Sequence, residues 1–230
     1  MATLLKGKPV AEALSSQIRE AVSQWHKKEV LPTLTLIRVG DKPDDQAYER
    51  AIIKRCESLH IRVIRETLPE TIEKEEFYQL LQQHNQDQQV HGILIFRPLP
   101  KQLPEEEVQY FIAPEKDVDG FHPMNAGKLM TGDPTAFAPC TPMAVMEILK
   151  HYKIPLSGKR AVVLGRSLVV GKPVALLLLA ENATVTVAHS RTQALEKVTG
   201  EADILIAAVG HADLVTAQHM GQLLFHGLQI

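Results

Sequence analysis

From Pro9 to Lys28, large apolar residues fall at Val10, Leu14, Ile18, Val22 and Trp25. That helical period predicts an amphipathic helix packed on a core, with Pro9 suited to its first turn. Pro32 opens a short β-run, TLTLIRV, closed by Gly40. Asp41–Asp45 is polar and contains Pro43, which predicts a loop capping a helix over Gln46–Leu59. Ile61–Leu68 and Val90–Phe96 predict two further strands, with an exposed helix over Glu73–Asn85 between them. The last strand stops at Arg97-Pro98-Leu99-Pro100, and Glu105–Glu107 reads as a solvated first helical turn. Strand and helix alternate, so this half is an α/β unit with a parallel sheet.

From Pro114 the pattern becomes irregular and rich in Gly and Pro as far as Pro142. Loops of this length inside compact domains are functional or linking, and the domain change is expected near Gly120. Thr141 is read as the cap of a helix over Pro142–His151. Then Ala161–Leu164 predicts a strand, Gly165 and Gly171 a turn, Val174–Ala180 a helix and Thr184–Val187 a second strand. This is a βαβ unit, whose helix start offers exposed amides and a positive dipole end to a phosphate. Ala202–Gly210 supplies another core strand that ends in glycine at the same edge.

Gly165-x5-Gly171 is not the usual dinucleotide G-x-G-x-x-G, and alone it equally fits a structural turn. The long apolar helix after it, His189-Ser190-Arg191-Thr192 at the next strand end and Val209-Gly210 at the third raise its meaning. An NAD-binding domain places an acidic residue at the second strand end to accept from the ribose 2′-hydroxyl. Here Ser190 and Arg191 stand there, with Arg166 near. Hydroxyl and guanidinium groups bind a 2′-phosphate that a carboxylate would repel, so NADP is expected over NAD.

Length and charge narrow the field. At 230 residues the chain has room for two domains, and a formal charge of −2 gives no electrostatic footprint for nucleic acid. Cys56 and Cys140 are far apart and read as buried, reduced thiols, and the ten histidines show no metal spacing. Met1–Lys8 lacks a signal-peptide core and no apolar run is long enough for a bilayer, so a cytoplasmic protein is expected.

Four motifs then occur in order: KDVDGFHPMNAGKL (Lys116–Leu129), PCTP (Pro139–Pro142), GRSLVVGKP (Gly165–Pro173) and VAHSRT (Val187–Thr192). Together with the segment Val63–Thr71, the chain resembles the methylenetetrahydrofolate dehydrogenase/methenyltetrahydrofolate cyclohydrolase family. The resemblance implies two α/β domains with a folate cleft between them. Residues 1–120 would be the folate-binding catalytic domain, and 121–230 a Rossmann-like NADP domain with a mostly parallel sheet, incomplete at its C-terminus. It implies hydride transfer from 5,10-methylenetetrahydrofolate to NADP, then hydrolysis of the methenyl product to 10-formyltetrahydrofolate. It also implies a homodimer.

By the same resemblance Tyr48 stacks on the folate, Asp119 holds the pterin, and Pro98 and Leu99 line the substrate side. Thr141, Gly165, Arg166, Ser167, Gly171, His189, Ser190, Arg191 and Gly210 take the cofactor. Asp117 fits a cap or brace of its loop, and His122 fits either a cleft wall or a turn. Cys140 reads as a packed thiol.

Two positions depart from the pattern. The family's Tyr-x-x-x-Lys reads Tyr48-Glu49-Arg50-Ala51-Ile52, and the glutamine of its VQLPLP-like run falls on Phe96 in IFRPLP. Lys54 does not replace the lysine: six residues after Tyr48 it lies about 120° round the helix, against about 40° for position 52. Losing one group that activates water costs about 10²–10⁴-fold, and both are absent, so cyclohydrolase activity is expected to be weak or lost. Hydride transfer depends on placement and on the cofactor's own chemistry, so it suffers less. Relatives continue past the equivalent of Ile230 through a further strand, a loop beside the nicotinamide and a helix. GQLLFHGLQI stands at the start of that region here, so an exposed sheet edge and weakened nicotinamide placement are expected. A second reading is a catalytically silent paralogue or shortened product that binds folate or nucleotide, or pairs with an intact subunit. A third keeps both activities through a rearranged base.

Overall fold

The structure is a computed structural model describing residues 3–210, 214–216, 219 and, by backbone, 228–229. It divides into two compact units, Ala11–Asn125 and Met1–Val10 with Ala126–Ile230. Most of Gly221–Ile230, on which the reading of GQLLFHGLQI falls, lies outside the described residues.

In the first unit β1 (Thr33–Val39) lies between β2 (Arg62–Leu68) and β3 (Gly92–Ile95), and both pairings are parallel. The central strand is buried at nearly every position, as a strand covered on both faces must be, whereas the outer β2 alternates. α3 (Lys74–Gln86) lays Phe77 and Leu81, both without exposure, on Ile37, Ile93 and Ile95. Burying side chains of that size contributes about 1.5–3 kcal/mol each. His84 ties the same helix to the sheet, with Nε2 3.0 Å from Glu66 Oε1 and Nδ1 3.4 Å from Thr35 Oγ1.

Several elements differ from expectation. α1 (Gly7–His26) buries Val10 and Val22, but Trp25 is half exposed under the Lys28 ammonium. Ser15 turns inward instead, because its hydroxyl is satisfied: it accepts from Arg55 Nη1 at 3.1 Å and donates to the Ala11 carbonyl. α2 runs Pro43–Ser58, so the expected loop is partly its first turn: Pro43 has no amide to satisfy, and Asp44 and Asp45 meet the positive dipole end. α4 (Glu105–Val108) is the expected short turn, yet Glu107 pairs with Lys74 and Glu105 accepts from the Leu99 amide.

The stretch expected to be irregular contains α5 (Pro123–Thr131), started by a proline at its first position and anchored through buried Asn125. α6 (Cys140–His151) begins at Cys140 after Pro139, with no side-chain cap. Thr141 is therefore inside the first turn, and Cys140 is exposed there, contrary to the buried thiol expected. Cys56 is buried, as expected.

The second unit is a parallel sheet in the order β5-β4-β6-β7: Thr184–Ala188, Arg160–Leu164, Ile204–Ala207 and Leu228–Gln229. Alternate residues of β4 face opposite sides. Ala161 and Val163 meet Val174 and Leu178 of α7 (Gly171–Ala180), while Val162 and Leu164 pack with Leu195 and Val198 of α8 (Leu195–Gly200). Helices on both faces make it a doubly wound, Rossmann-like layer. The edge expected to be bare is covered in part: the last two residues of β6 pair in parallel with β7, Ile206 opposite Leu228 and Ala207 opposite Gln229.

Candidate functional site

In the first sheet the chain leaves β1 toward β2 on one side and returns through α3 to β3 on the other. The crevice outside the carboxyl ends of β1 and β3 is therefore the topological switch point, where open α/β sheets bind ligands. α2 places Tyr48 there, 56% exposed, its ring edge-on to Phe96 at 5.5 Å and 62°. Phe96 is buried, Ile52 is half-buried one turn after Tyr48, and Lys54 is exposed. Pro98 follows a cis bond and, with Gly40, Asp41, Lys42 and Glu70, lines a depression of about 300 Å³.

Beneath Tyr48, the fully buried Glu49 holds α2 to the sheet. Its Oε2 accepts from Arg38 Nε at 3.4 Å and Arg65 Nη2 at 3.2 Å. Arg38 also donates to the Gly40 carbonyl and to Asp41 Oδ1. Burial pulls the Arg38 pKa down, but the bond to Asp41 and the fields of Glu49 and Asp41 outweigh it, so the guanidinium sits above its ordinary value. Periodicity and motifs do not single out this ion cluster, although an arginine inside TLTLIRV is a signal that a buried partner must exist.

The KDVDG segment extends the sheet beside β3. Ile93 donates its amide to the Lys116 carbonyl at 2.7 Å and bridges Asp117. Gly92 makes room for this: a Cβ there would stand 2.6 Å from Val118 Cγ1. Lys116 Nζ donates to the carbonyls of His84 and Asp87 at the end of α3, where the helix dipole favours a cation. Asp117 is 1% exposed and accepts from the His122 amide at 2.8 Å and Asn125 Nδ2 at 2.9 Å, so it is the brace of its loop. His122 accepts from the Met124 amide through Nδ1, the geometry of a turn histidine. Asp119 instead receives Arg97: Nη2 lies 2.9 Å from Oδ2, and the guanidinium lies 4.4 Å over the Phe121 ring. In the sequence Arg97 reads only as part of a rigid chain stop. The Leu99 side chain packs against the core of this unit.

In the second unit the turn after β4 is fixed by backbone contact. Gly165 has φ +122°, and a Cβ on it would meet the Ala208 carbonyl oxygen at 2.2 Å; one on Gly171 would meet the Gly165 oxygen at 2.3 Å. The amides at the start of α7 are not open, contrary to expectation. Ser167 Oγ accepts from Val170 (3.1 Å) and Gly171 (3.3 Å), and its carbonyl accepts from Lys172. The exposed groups are Arg166, Ser167, Leu168 and Val169 of the turn itself. After β5 a second turn is closed by the His189 amide on Thr192 Oγ1 at 2.9 Å and the Arg191 amide on His189 Nδ1 at 3.2 Å. It leaves Ser190 and Arg191 exposed. A glycine cradle that side chains would fill, with arginines and hydroxyls and no carboxylate at the β5 end, fits a nucleotide carrying a 2′-phosphate. Gly210 is exposed, and a Cβ on it would meet none of the described residues within 4 Å.

Comparison with known proteins agrees across both units. Residues 5–119 match the family of the tetrahydrofolate dehydrogenase/cyclohydrolase catalytic domain, and residues 139–223 match its NAD(P)-binding domain. The bifunctional protein FolD of Alkaliphilus oremlandii is 54% identical over 210 residues, 91% of this chain and 74% of that protein. The crystal structure of the FolD methylenetetrahydrofolate dehydrogenase/cyclohydrolase of Campylobacter jejuni superposes with a TM-score of 0.92 at 39% identity, over 95% of this chain and 78% of that one. The Trypanosoma brucei methylenetetrahydrofolate dehydrogenase-cyclohydrolase, complexed with NADP and an inhibitor, gives 0.88 at 32% identity, over 96% and 76%. The chain belongs to the tetrahydrofolate dehydrogenase/cyclohydrolase family.

Proposed function

We propose that this chain oxidises 5,10-methylenetetrahydrofolate to 5,10-methenyltetrahydrofolate with NADP, and that it hydrolyses the methenyl product weakly or not at all. The observation that carries the reading is the contact of Tyr48 with Phe96 at the switch point. An aromatic face is offered where a planar pteridine would stack, and the two positions that would activate water are apolar.

In this reading Tyr48 stacks on the folate, Asp119 binds the pterin ring, and Pro98 and Leu99 shape the wall. Ser190, Arg191 and Arg166 bind the 2′-phosphate, and the turn from Gly165 to Gly171, with Ser167, carries the pyrophosphate. Thr141, His189 and Gly210 complete the cofactor side. NADP, when bound, supplies the hydride acceptor. The chain's own groups orient and desolvate the methylene carbon, and the apolar Ile52 and Phe96 leave the product cation without an activated water. Residues 1–120 would form the folate domain and 121–230 the NADP domain, in a cytoplasmic homodimer.

The test follows NADPH formation from 5,10-methylenetetrahydrofolate, with NAD in parallel, and separately the decay of the methenyl product. Turnover with NADP faster than with NAD, and methenyl decay at the uncatalysed rate, is expected. Binding of NADP without turnover would replace this reading with the catalytically silent one.

A further inference from the structure

We infer that Arg97 is a specificity-determining residue, which with Asp119 forms a donor–acceptor pair that reads the lactam edge of the pteridine, its N3–H and 4-oxo group. The inference rests on the folate reading above and adds a residue to it.

The run that the family resemblance writes VQLPLP is IFRPLP here, so Arg97 stands where that pattern has leucine. A carboxylate can only accept hydrogen bonds, so Asp119 alone can hold the N3–H or the 2-amino group but not the 4-oxo oxygen. A pteridine lactam presents a donor beside an acceptor. Arg97 Nη2 at 2.9 Å from Asp119 Oδ2 puts a donor beside an acceptor, as such an edge requires.

Arg97 is also held for the task. Its guanidinium lies 4.4 Å over the Phe121 ring, which fixes its plane while leaving its edge for hydrogen bonds. Among the described residues the fork makes no hydrogen bond besides that to Asp119. The two side chains are 18% and 24% exposed, shielded enough to strengthen a charged hydrogen bond and open enough for a ligand to reach.

The test is titration calorimetry of the whole chain with tetrahydrofolate and with 4-amino-4-deoxytetrahydrofolate. The latter reverses the edge, with a donor at position 4 and an acceptor at N3. The unaltered chain should prefer the 4-oxo ligand by about 10- to 100-fold, the worth of one hydrogen bond to a charged group. Arg97→Leu should bring the ratio to about threefold or less, chiefly by weakening the 4-oxo ligand, with the thermal midpoint recorded beside it. Arg97→Lys keeps the charge without the planar fork and should fall between; it carries the test if the leucine variant does not fold.

An unchanged ratio in both variants overturns the inference. So does tighter binding of tetrahydrofolate by Arg97→Leu, which would make Arg97 a latch that occupies Asp119. If the unaltered chain binds neither ligand, the folate reading itself fails and the inference falls with it.

Discussion

At the carboxyl end of β4 the turn is shaped by backbone against backbone, with Gly165 under the Ala208 carbonyl and Gly171 under that of Gly165. At the carboxyl end of β3 the surface is shaped by side chains, Tyr48 on Phe96 and Arg97 on Asp119 and Phe121, with α2 held to β1 and β2 by Glu49 on Arg38 and Arg65. Both edges belong to parallel sheets with crossover helices. A backbone-shaped site tolerates only glycine, so its chemistry stays fixed. A site shaped by side chains keeps its form through exchanges that change what it can catalyse, as Ile52 and Phe96 do.

The largest expected effect breaks the backbone-shaped edge. Gly165→Ala must move the Ala208 peptide at a positive φ, and should cost about 3 kcal/mol or more and abolish NADP binding. Gly210→Ala, which meets none of the described residues within 4 Å, should change stability by less than about 0.5 kcal/mol. Thermal melts of the two variants measure the contrast.

Next comes the ion cluster. Glu49→Leu takes from Arg38 its buried partner and leaves it only Asp41 and the Gly40 carbonyl, and should destabilise by about 3 kcal/mol in urea unfolding. Arg65→Met removes a half-exposed partner and should cost about 1 kcal/mol or less. Equal costs would mean that the pair with Arg65 carries the whole effect and the buried pair with Arg38 none of it.

Ile52→Lys with Phe96→Gln restores an ammonium and an amide beside Tyr48. Methenyl hydrolysis should rise about 10²-fold or more, equivalent to about 2.7 kcal/mol of barrier, while dehydrogenation changes less. Unchanged hydrolysis would show that chemistry at this edge needs more than those two groups.

A smaller effect tests the helix start. Ser167→Ala removes the acceptor of two amides and should cost about 1 kcal/mol of stability, read from a melt.

The smallest expected effect is one of pH. Burial, then the field of Glu57, pushes the Cys56 thiol above its ordinary 9.0. A raised folded value means that the folded state holds its proton longer, so stability is intact below pH 9 and falls as pH rises through the raised value. Cys56→Val should flatten that decline in melts taken across the alkaline range.

The contrast also explains what the sequence let one read. Strand and helix alternation and the glycine turn were legible because apolar period and backbone sterics are local properties. α5 is hidden from the sequence because it is anchored by Asn125 reaching back to Asp117 and the Pro114 carbonyl, contacts that no local apolar period reports. Ser167 closing the helix start was hidden for the same reason: the composition of a turn does not say which amides it consumes. The Arg97–Asp119 pair spans 22 residues of chain and exists only because KDVDG lies along β3.

That alignment depends on a residue with no functional group. Gly92 opens β3 at the end away from Arg97, and the hydrogen it carries in place of a methyl lets Val118 lie against the strand. Any larger residue there would push Val118 outward, and Asp119 is bonded to it directly. An engineer retuning ligand choice at this edge can therefore work at Arg97, but must leave the first residue of GILI alone, since it sets the elevation at which the aspartate is displayed.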